Sequence, residues 1–326
     1  MGLAQKTIMG SYNINSGFGS VMASNLPRGI VGKTFIVGKA ALAYRDIYND
    51  ISPTDLDGKA RFFATVNAAF AACTANAGDT IMVLPGHTET VTATSIAFNV
   101  AGVKVVCLGN ASNQAVFTYG AAAATITITG ANSSWTGGNF VANFADVVAA
   151  FTVGDAVNFR LDGGIFTDTS AILNFLVVIA TGATNNQADG LTVVNNYWLS
   201  LPTIAGAFVS ILANEKRLLV DNNFADKAST SDVGHFITLS SKIISGARIT
   251  RNTCIVVGAT GATVGIFLTG SGTTSTGLVA DNRCASLDTT TELMFTASTG
   301  LKFFDNYYTG IADKSGYLVP AADSAA

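Results

Sequence analysis

The sequence is a succession of short apolar runs separated by turns that are rich in Gly, Asn, Ser and Thr. Several runs end in Asn and resume two positions later with a bulky or sulfur-containing residue: TVVNNYW, LVDNNF, ITRNTC, VADNRC and FFDNYY. Apolar and polar positions alternate within the runs, and each run is too short to make a helix. The pattern therefore predicts many short β-strands that end in a recurring Asn turn.

The asparagines recur at a nearly constant interval, which averages 28 residues over the seven periods between positions 110 and 306. The interval between positions 139 and 196 has room for two periods, and the intermediate turn falls near Gly164. We assign the following residues to one repeated column: Asn110, Asn139, Asn196, Asn222, Asn252, Asn282 and Asn306. Such a fixed period is the signature of a repeat architecture.

A second apolar run lies midway through each period, for example TITITG at 125, AVNFRL at 156 and HFITLS at 235. Leucine-rich repeats have periods of similar size but need a Leu framework, and propeller blades need four strands in about 40 residues. Two or three strands per period without a helix instead predict a parallel β-helix, whose turns stack about 4.8 Å apart.

A different pattern precedes the repeats. Phe63, Val66, Phe70 and Cys73 are spaced so that they share one face of a helix, and the segment 76–78 is expected to end it. The run DTIMVLPG follows as a strand that stops at Pro-Gly. A helix at this place can cover the open end of a solenoid, whose unpaired strand edge would otherwise recruit other chains.

The passage ATVNAAFAAC…AGDTIMVLPGHTET at 64–90 resembles the entry segment of pectin lyase-like right-handed β-helix proteins. In that family a capping helix leads through a Gly-Asp-Thr turn into a strand that ends in Pro-Gly. The resemblance covers residues 60–310 and implies an all-β fold, a right-handed single-stranded parallel β-helix of about eight or nine turns. We place the β-helix at 59–310, between an N-terminal arm or base at 1–58 and a C-terminal tail at 311–326.

We interpret the Asn column as scaffold, because Asn tolerates the left-handed backbone of a tight turn and stacked amides can hydrogen-bond to each other. By the two-residue alternation of a strand, the residues two positions later share its side of the turn. They form a predicted core stack: Trp198, Phe224, Cys254, Cys284 and Tyr308. We expect Cys254 and Cys284 to be free, buried thiols, because parallel side-chain directions in adjacent turns suit a disulfide poorly.

The acids beside the column, Asp221, Asp281 and Asp305, could in principle supply the paired carboxylates of a glycosidase. Arg251 interrupts this row, however, and an acid before Asn is an ordinary turn residue. His87 and Glu89 invite an acid–base interpretation, but their strand end faces the capping helix. We therefore expect structural roles for all of these residues.

The pectin-cleaving members of the resembled family carry calcium-binding Asp clusters with catalytic Arg or Lys, or Asn-Thr-Asp, Asp-Asp and Gly-His-Gly motifs. None of these motifs is present in the sequence. We accordingly predict a non-enzymatic protein with no catalytic, cofactor-binding or metal-binding residues. The family also contains tailspikes, adhesins and virion structural proteins. An inter-subunit acid pair, a tailspike depolymerase of bacterial surface polysaccharide and a glycan-binding host adhesin stay open as alternatives.

The composition of the chain argues against several classes of function and binding site. Charged residues make up 12% of the chain, the net charge is −3 and there is no basic run, which argues against nucleic-acid binding. No run of about 18 apolar residues and no secretory signal pattern occurs, so we expect no membrane association. The four cysteines form no CxxC pair, which disfavours a structural zinc site.

These features favour a structural protein of a phage virion, such as a capsid decoration protein or a tailspike-like fibre component, made in the host cytoplasm. Trimerisation would let a short solenoid bury an apolar flank, so we expect a homotrimer. Residues 1–58 are the expected contact with other virion proteins such as the major capsid protein. The virion assignment follows from the resemblance, since a fold alone does not specify a function.

Overall fold

The structure is a computed structural model of the 326-residue chain. It describes residues 32–39, 54, 58–93, 96–110, 113–201, 206–227, 235–239, 241–256, 265–269, 274–286, 293–295, 300–309 and 316–318. Most of the predicted arm and tail, at 1–58 and 311–326, therefore lies outside the described residues.

The described chain is almost entirely β-structure, with one short helix. It begins with β1 (Thr34–Val37), β2 (Phe62–Phe63) and α1 (Val66–Ala72). Four turns follow with β3 (Thr80–Val83), β4 (Thr88–Val91), β5 (Ile96–Phe98), β6 (Lys104–Cys107), β7 (Val116–Tyr119), β8 (Ile126–Ile128), β9 (Ser134–Thr136), β10 (Asn139–Ala142), β11 (Phe151–Val153), β12 (Arg160–Asp162), β13 (Ile165–Asp168) and β14 (Val177–Thr181). The next three turns contain β15 (Thr192–Val194), β16 (Tyr197–Ser200), β17 (Ala207–Ser210), β18 (Glu215–Lys216), β19 (Leu219–Asp221), β20 (Phe224–Lys227), β21 (Ile237–Thr238), β22 (Ile244–Ser245), β23 (Ala247–Thr250), β24 (Thr253–Val256) and β25 (Gly265–Thr269). The chain ends with β26 (Gly277–Ala280), β27 (Arg283–Ser286), β28 (Leu293–Phe295), β29 (Leu301–Phe304), β30 (Asn306–Thr309) and β31 (Gly316–Leu318).

Three long sheets run along the molecule, and eight successive turns each give one strand to every sheet. The first sheet has the order β2-β1-β3-β6-β9-β12-β15-β19-β23-β26-β29. The second has the order β31-β30-β27-β24-β20-β16-β13-β10-β7-β4, and the third β28-β25-β21-β17-β14-β11-β8-β5. Neighbouring strands pair in parallel throughout these sheets, except that β31 is antiparallel to β30. The predicted parallel β-helix fold is therefore confirmed, with eight full turns and a ninth that contributes β29 and β30.

Each turn contains three strands because a third run follows the Asn directly, as β16 does after Asn196. One of the proposed midway runs was wrong. AVNFRL supplies β12, which belongs to the first sheet, and the midway strand of that turn is β11. The actual third-sheet strand, FTV, is short and follows an apolar, Ala-rich stretch, so the sequence pattern does not mark where the strand begins.

The interior is filled by aromatic side chains that change sheets along the molecule. Three stacked rings occupy the second-sheet side of turns two to four, at centroid distances of 5.4 and 4.8 Å: Phe117, Phe140 and Phe166. A second stack occupies the third-sheet side of turns five to seven, at 5.0 and 4.9 Å: Phe208, Phe236 and Phe267. At the equivalent second-sheet positions of turns six and seven, the side chains are smaller: Ala225 and Cys254. The bulk thus moves from one sheet to the other while the core stays packed.

The amino-terminal end of the solenoid is closed by α1 and by a strand from the predicted arm. Thr65 caps the helix by accepting a hydrogen bond from the backbone N–H of Ala68 at 3.2 Å. Phe70 is buried and stacks on Phe98 of the first turn at 4.3 Å. The helix ends at Ala72 with Cys73 as its C-cap, earlier than expected.

β1 lies between β2 and β3 and pairs in parallel with both, although it precedes them in the chain. The first sheet therefore extends into the predicted arm at its start, and β31, from the predicted tail, adds an antiparallel strand to the edge of the second sheet.

Candidate functional site

Five asparagine side chains form a buried ladder at the corner between the first and second sheets: Asn196, Asn223, Asn252, Asn282 and Asn306. Each amide oxygen of the last four accepts the backbone N–H and the side-chain N–H of the asparagine one turn earlier, at 2.9 to 3.1 Å. The ladder starts where Asn196 Oδ1 accepts the backbone N–H of Gly164 at 2.8 Å. It therefore joins the turns along the axis independently of the sheets.

The side-chain nitrogens complete the ladder by donating to the first sheet. Asn252 Nδ2 donates to the carbonyl of Val220 at 2.9 Å, and Asn282 Nδ2 donates to that of Ile249 at 2.9 Å. Each of the three middle amides, Asn223, Asn252 and Asn282, is thus bonded to two asparagines and to a carbonyl of the first sheet. Buried amides with such full pairing stabilise one arrangement of the chain, because an unpaired one is costly.

Three members of the predicted column were wrong. Asn222 is exposed, and its neighbour Asn223 takes the ladder position. Asn110 is an exposed turn residue, and its backbone carbonyl accepts from Asn113 at 2.9 Å. Asn139 is the first residue of β10 and lies in register with Val116 and Ile165, on the outward side. The early turns use glycines such as Gly164 at this corner, so the ladder does not extend to them.

The left-handed conformation expected of the ladder asparagines belongs instead to the residue before each of them. Positive φ angles of 48° to 57° occur at these positions: Asn195, Asn222, Arg251, Asp281 and Asp305. Asn and Asp tolerate this conformation best, which explains why an acid or amide so often precedes the ladder residue. The doublets DN and NN in the sequence therefore have two separate roles, a turn residue and a buried amide.

The turn residues form a second, outer set of contacts. Asn222 donates to the side chain of Asn195 at 2.8 Å, and Asn195 donates to Asp162 at 2.8 Å. Asp221 accepts from Arg251 Nε at 2.9 Å and from the Thr250 hydroxyl at 2.7 Å. The hydrogen bonds from Arg251 lower the pKa of Asp221. This carboxylate is held in an ion pair and does not face a second acid.

The core stack contains four of the five predicted residues. Trp198, Cys254, Cys284 and Tyr308 are buried in register, but the intervening position is Ala225 rather than Phe224. Phe224 lies on the outer face and stacks on Tyr197 at 5.4 Å. The correction follows from the ladder, because the residue two positions after Asn223 is Ala225. Cys254 and Cys284 are free, buried thiols, as expected.

A buried ionic cluster lies beside the core stack, and the sequence reasoning missed it. Asp168 is 1% exposed and accepts the backbone N–H groups of Phe175 and Leu201 at 2.9 Å each. Burial raises the pKa of Asp168 to about 6, although these two donors act in the opposite direction. The carboxylate holds two loops at the corner between the second and third sheets.

Lys227 supplies the positive charge of this cluster and is also 1% exposed. Its ammonium donates to the carbonyl of Gly206 at 2.6 Å and lies 5.5 Å from the ring centre of Trp198. Burial lowers the pKa of Lys227 to about 8, while Asp168 is among the groups that act against this shift. A signal was available: in IFTD and FADK the charged residue lies two positions after an inward-facing Phe166 or Ala225.

The acid–base candidates near the helix have a structural arrangement. His87 Nε2 and Glu89 Oε2 lie 3.1 Å apart, and the same oxygen accepts the backbone N–H of Val66 at 3.0 Å. Val66 is the first residue of α1, so the pair connects the capping helix to the start of the second sheet. His87 is 1% exposed, which leaves no room for a substrate at the imidazole.

One open cavity, of about 630 Å³, is lined by Asp281, Arg283, Asp305 and Tyr307. Asp281 and Asp305 are equivalent turn residues of adjacent turns, and Arg283 and Tyr307 are in register on the outer face of the second sheet. No group of three or more metal-binding side chains occurs among the described residues. The helix that the structure describes is too short to cross a membrane.

Comparison with known proteins finds no relative of this chain. No family model, no curated protein and no solved structure matches the chain.

Proposed function

We propose that this protein is a non-enzymatic structural component of a phage virion, a capsid decoration protein or a tailspike-like fibre component, and that it assembles as a homotrimer. The pectin lyase-like resemblance of residues 64–90 supplies the virion context of this proposal. Residues 1–58 are the proposed attachment to other virion proteins such as the major capsid protein.

The non-enzymatic part of the proposal is supported by one observation: the acidic side chains that could act in catalysis are already hydrogen-bonded within the fold. Glu89 binds the start of the helix, Asp168 binds two loop N–H groups, and Asp221 is paired with Arg251. Each of these carboxylates is hydrogen-bonded to the scaffold, and the ladder amides are hydrogen-bonded to each other along the axis of the solenoid. A rigid solenoid with such internal bonding suits a load-bearing role in a particle.

Purification of the phage particles that carry this gene tests the proposal. We expect the chain to sediment with intact particles at a constant ratio to the major capsid protein, as measured by quantitative mass spectrometry across a density gradient. A chain found only in the soluble lysate fractions, at wild-type expression, would contradict a virion role.

The open cavity favours a second candidate, a depolymerase or adhesin for bacterial surface polysaccharide. Its two carboxylates and one guanidinium can bond sugar hydroxyls, and the Tyr307 ring offers an apolar face. Incubation with capsular polysaccharide should release no reducing ends if the first proposal is correct. Release that is abolished in Asp281→Asn/Asp305→Asn, but kept in Asp226→Asn, would establish the enzyme instead. Glycan-array binding with the same pattern of variants and no release would establish the adhesin.

A further inference from the structure

One strand of the first sheet comes from the predicted arm, and it lies inside the sheet although it precedes its neighbours in the chain. β1 is inserted between β2 and β3, so that Ile36 lies opposite Phe62 on one side and Met82 on the other. β2, α1 and β3 follow one another within residues 61–84, and α1 contacts all three strands. Residues 61–84 therefore form a slot, here called the strand slot, which β1 fills.

Both edges of β1 are hydrogen-bonded to the strand slot. On the β2 side, the N–H groups of Ile36 and Gly38 donate to backbone carbonyls at 2.7 and 3.1 Å. On the β3 side, the carbonyls of Lys33 and Val37 accept backbone N–H groups at 2.8 and 2.9 Å. Main-chain bonds of this kind supply the affinity when an extended peptide adds to a sheet.

Alternate side chains of β1 point into the core. Phe35 and Val37 are 2% and 0% exposed, and the Phe35 ring packs edge-on against Phe63 with the ring centres 5.8 Å apart. Both side chains belong to the same apolar core as Val66 and Phe70 of α1. Pockets for alternate side chains give specificity in strand addition. The strand slot therefore selects an extended segment with apolar residues two positions apart.

The residues that precede β1 are held by a buried carboxylate and by a close backbone contact. Asp79 is 1% exposed, and its two oxygens accept the backbone N–H groups of Lys33 and Thr74, each at 2.7 Å. A Cβ atom on Gly32 would lie 1.9 Å from the carbonyl oxygen of Gly78, so the position requires glycine. Because Thr74 directly follows the C-cap of α1, Asp79 ties the inserted strand to the capping helix.

We infer that residues 61–84 form a binding site for an extended peptide strand, and that residues 32–38 are its ligand, bound without need of the covalent link between the two segments. The role of this site rests on the proposed function, in which residues 1–58 attach the protein to other virion proteins. The strand slot is then the non-covalent joint between that arm and the solenoid. Its ligand is a Gly followed three and five positions later by buried apolar residues.

Cleavage of the connection tests the inference in the folded full-length chain. A recognition sequence for a sequence-specific protease is inserted after Asn49, and complete cleavage is checked by denaturing electrophoresis. We expect the fragment 1–49 to stay with the rest of the protein in native size-exclusion chromatography. Gly32→Val should weaken its retention by more than about tenfold, because the added side chain meets the backbone of Gly78. The matched control, Lys39→Val, changes an exposed residue just after the strand and should keep the fragment bound.

A peptide measurement on the wild-type protein does not depend on whether the variant chain folds. A fluorescent synthetic peptide of residues 30–40 should exchange into the cleaved protein, and the same peptide with Gly32→Val should not. Loss of the fragment from the cleaved wild type, equal retention in Gly32→Val, or equal binding of the two peptides would overturn the inference. The virion role is judged separately, by sedimentation of the uncleaved chain with particles.

Discussion

The asparagine side chains of the ladder make more hydrogen bonds than the exposed asparagine side chains beside them. Asn252 accepts two hydrogen bonds from Asn223 and donates to Val220 and Asn282. Asn222 makes a single side-chain bond at the surface, to Asn195. The same residue type, one position apart in the repeat, therefore contributes very different amounts to stability.

We expect Asn252→Ala to lower the free energy of unfolding by about 2 to 4 kcal/mol, because it leaves several buried polar groups unpaired. The control, Asn222→Gly, keeps the positive-φ backbone and should change stability by less than about 1 kcal/mol. Urea denaturation measures both. Equal costs for the two variants would contradict the assignment of the ladder.

Glu215 provides a pH-dependent contribution at a single residue. It is 2% exposed, and burial raises its pKa from 4.5 to about 7, although the backbone N–H of Ala188 donates to it. Between about pH 4.5 and 7 the folded state therefore binds a proton that the unfolded state has released. Stability contributed by the protonated acid is present below about pH 4.5 and is lost as pH rises through about 7.

We expect Glu215→Gln to remove this dependence and to raise the free energy of unfolding at pH 7.5 by about 2 to 3 kcal/mol, relative to its effect at pH 4.5. Denaturation of both proteins at the two pH values gives the difference directly. A variant that keeps the full wild-type slope between pH 4.5 and 7.5 would assign the slope to other groups, such as Asp168.

Each element of the solenoid is a strand with one inward and one outward face, and the buried ionic cluster lies on inward faces of β13 and β20. Asp168 holds the loops that leave β13 and β16, and Lys227 holds the carbonyl that precedes β17. The cluster therefore stabilises the corner between the second and third sheets.

We expect Lys227→Met to destabilise the protein by about 1 to 3 kcal/mol, because it leaves the buried carbonyl of Gly206 without its donor and removes a positive charge near Asp168. The double variant Lys227→Met/Asp168→Asn should cost less than the sum of the two single variants. A double-mutant cycle of urea unfolding measures the coupling. Additive costs would show that the two groups act independently.

The elements themselves follow from the sequence to a considerable extent, and the errors have physical causes. The 28-residue period and the two-residue alternation predicted the parallel solenoid and four of the five positions of the core stack. In one turn the ladder position was assigned to Asn222 instead of Asn223. Both residues fit the sequence pattern, and only the pairing with the neighbouring turns distinguishes them. Lys227 was missed because a charged residue at an inward position opposes the expected rule that charges are exposed.

At the scale of the whole molecule, the three sheets have different surfaces. The first and second carry ion pairs, turn acids and an open cavity, while the third carries small uncharged residues beside an apolar corner. The sequence predicted an apolar flank only in general terms, because Phe144, Val148 and Ile172 come together through loops of adjacent turns.

The native mass of the unmodified full-length chain tests the central claim most directly. Sedimentation velocity at micromolar concentration and neutral pH should give about 100 kDa, three times the chain mass of 33.5 kDa. A single species at 33.5 kDa would contradict the proposed homotrimer.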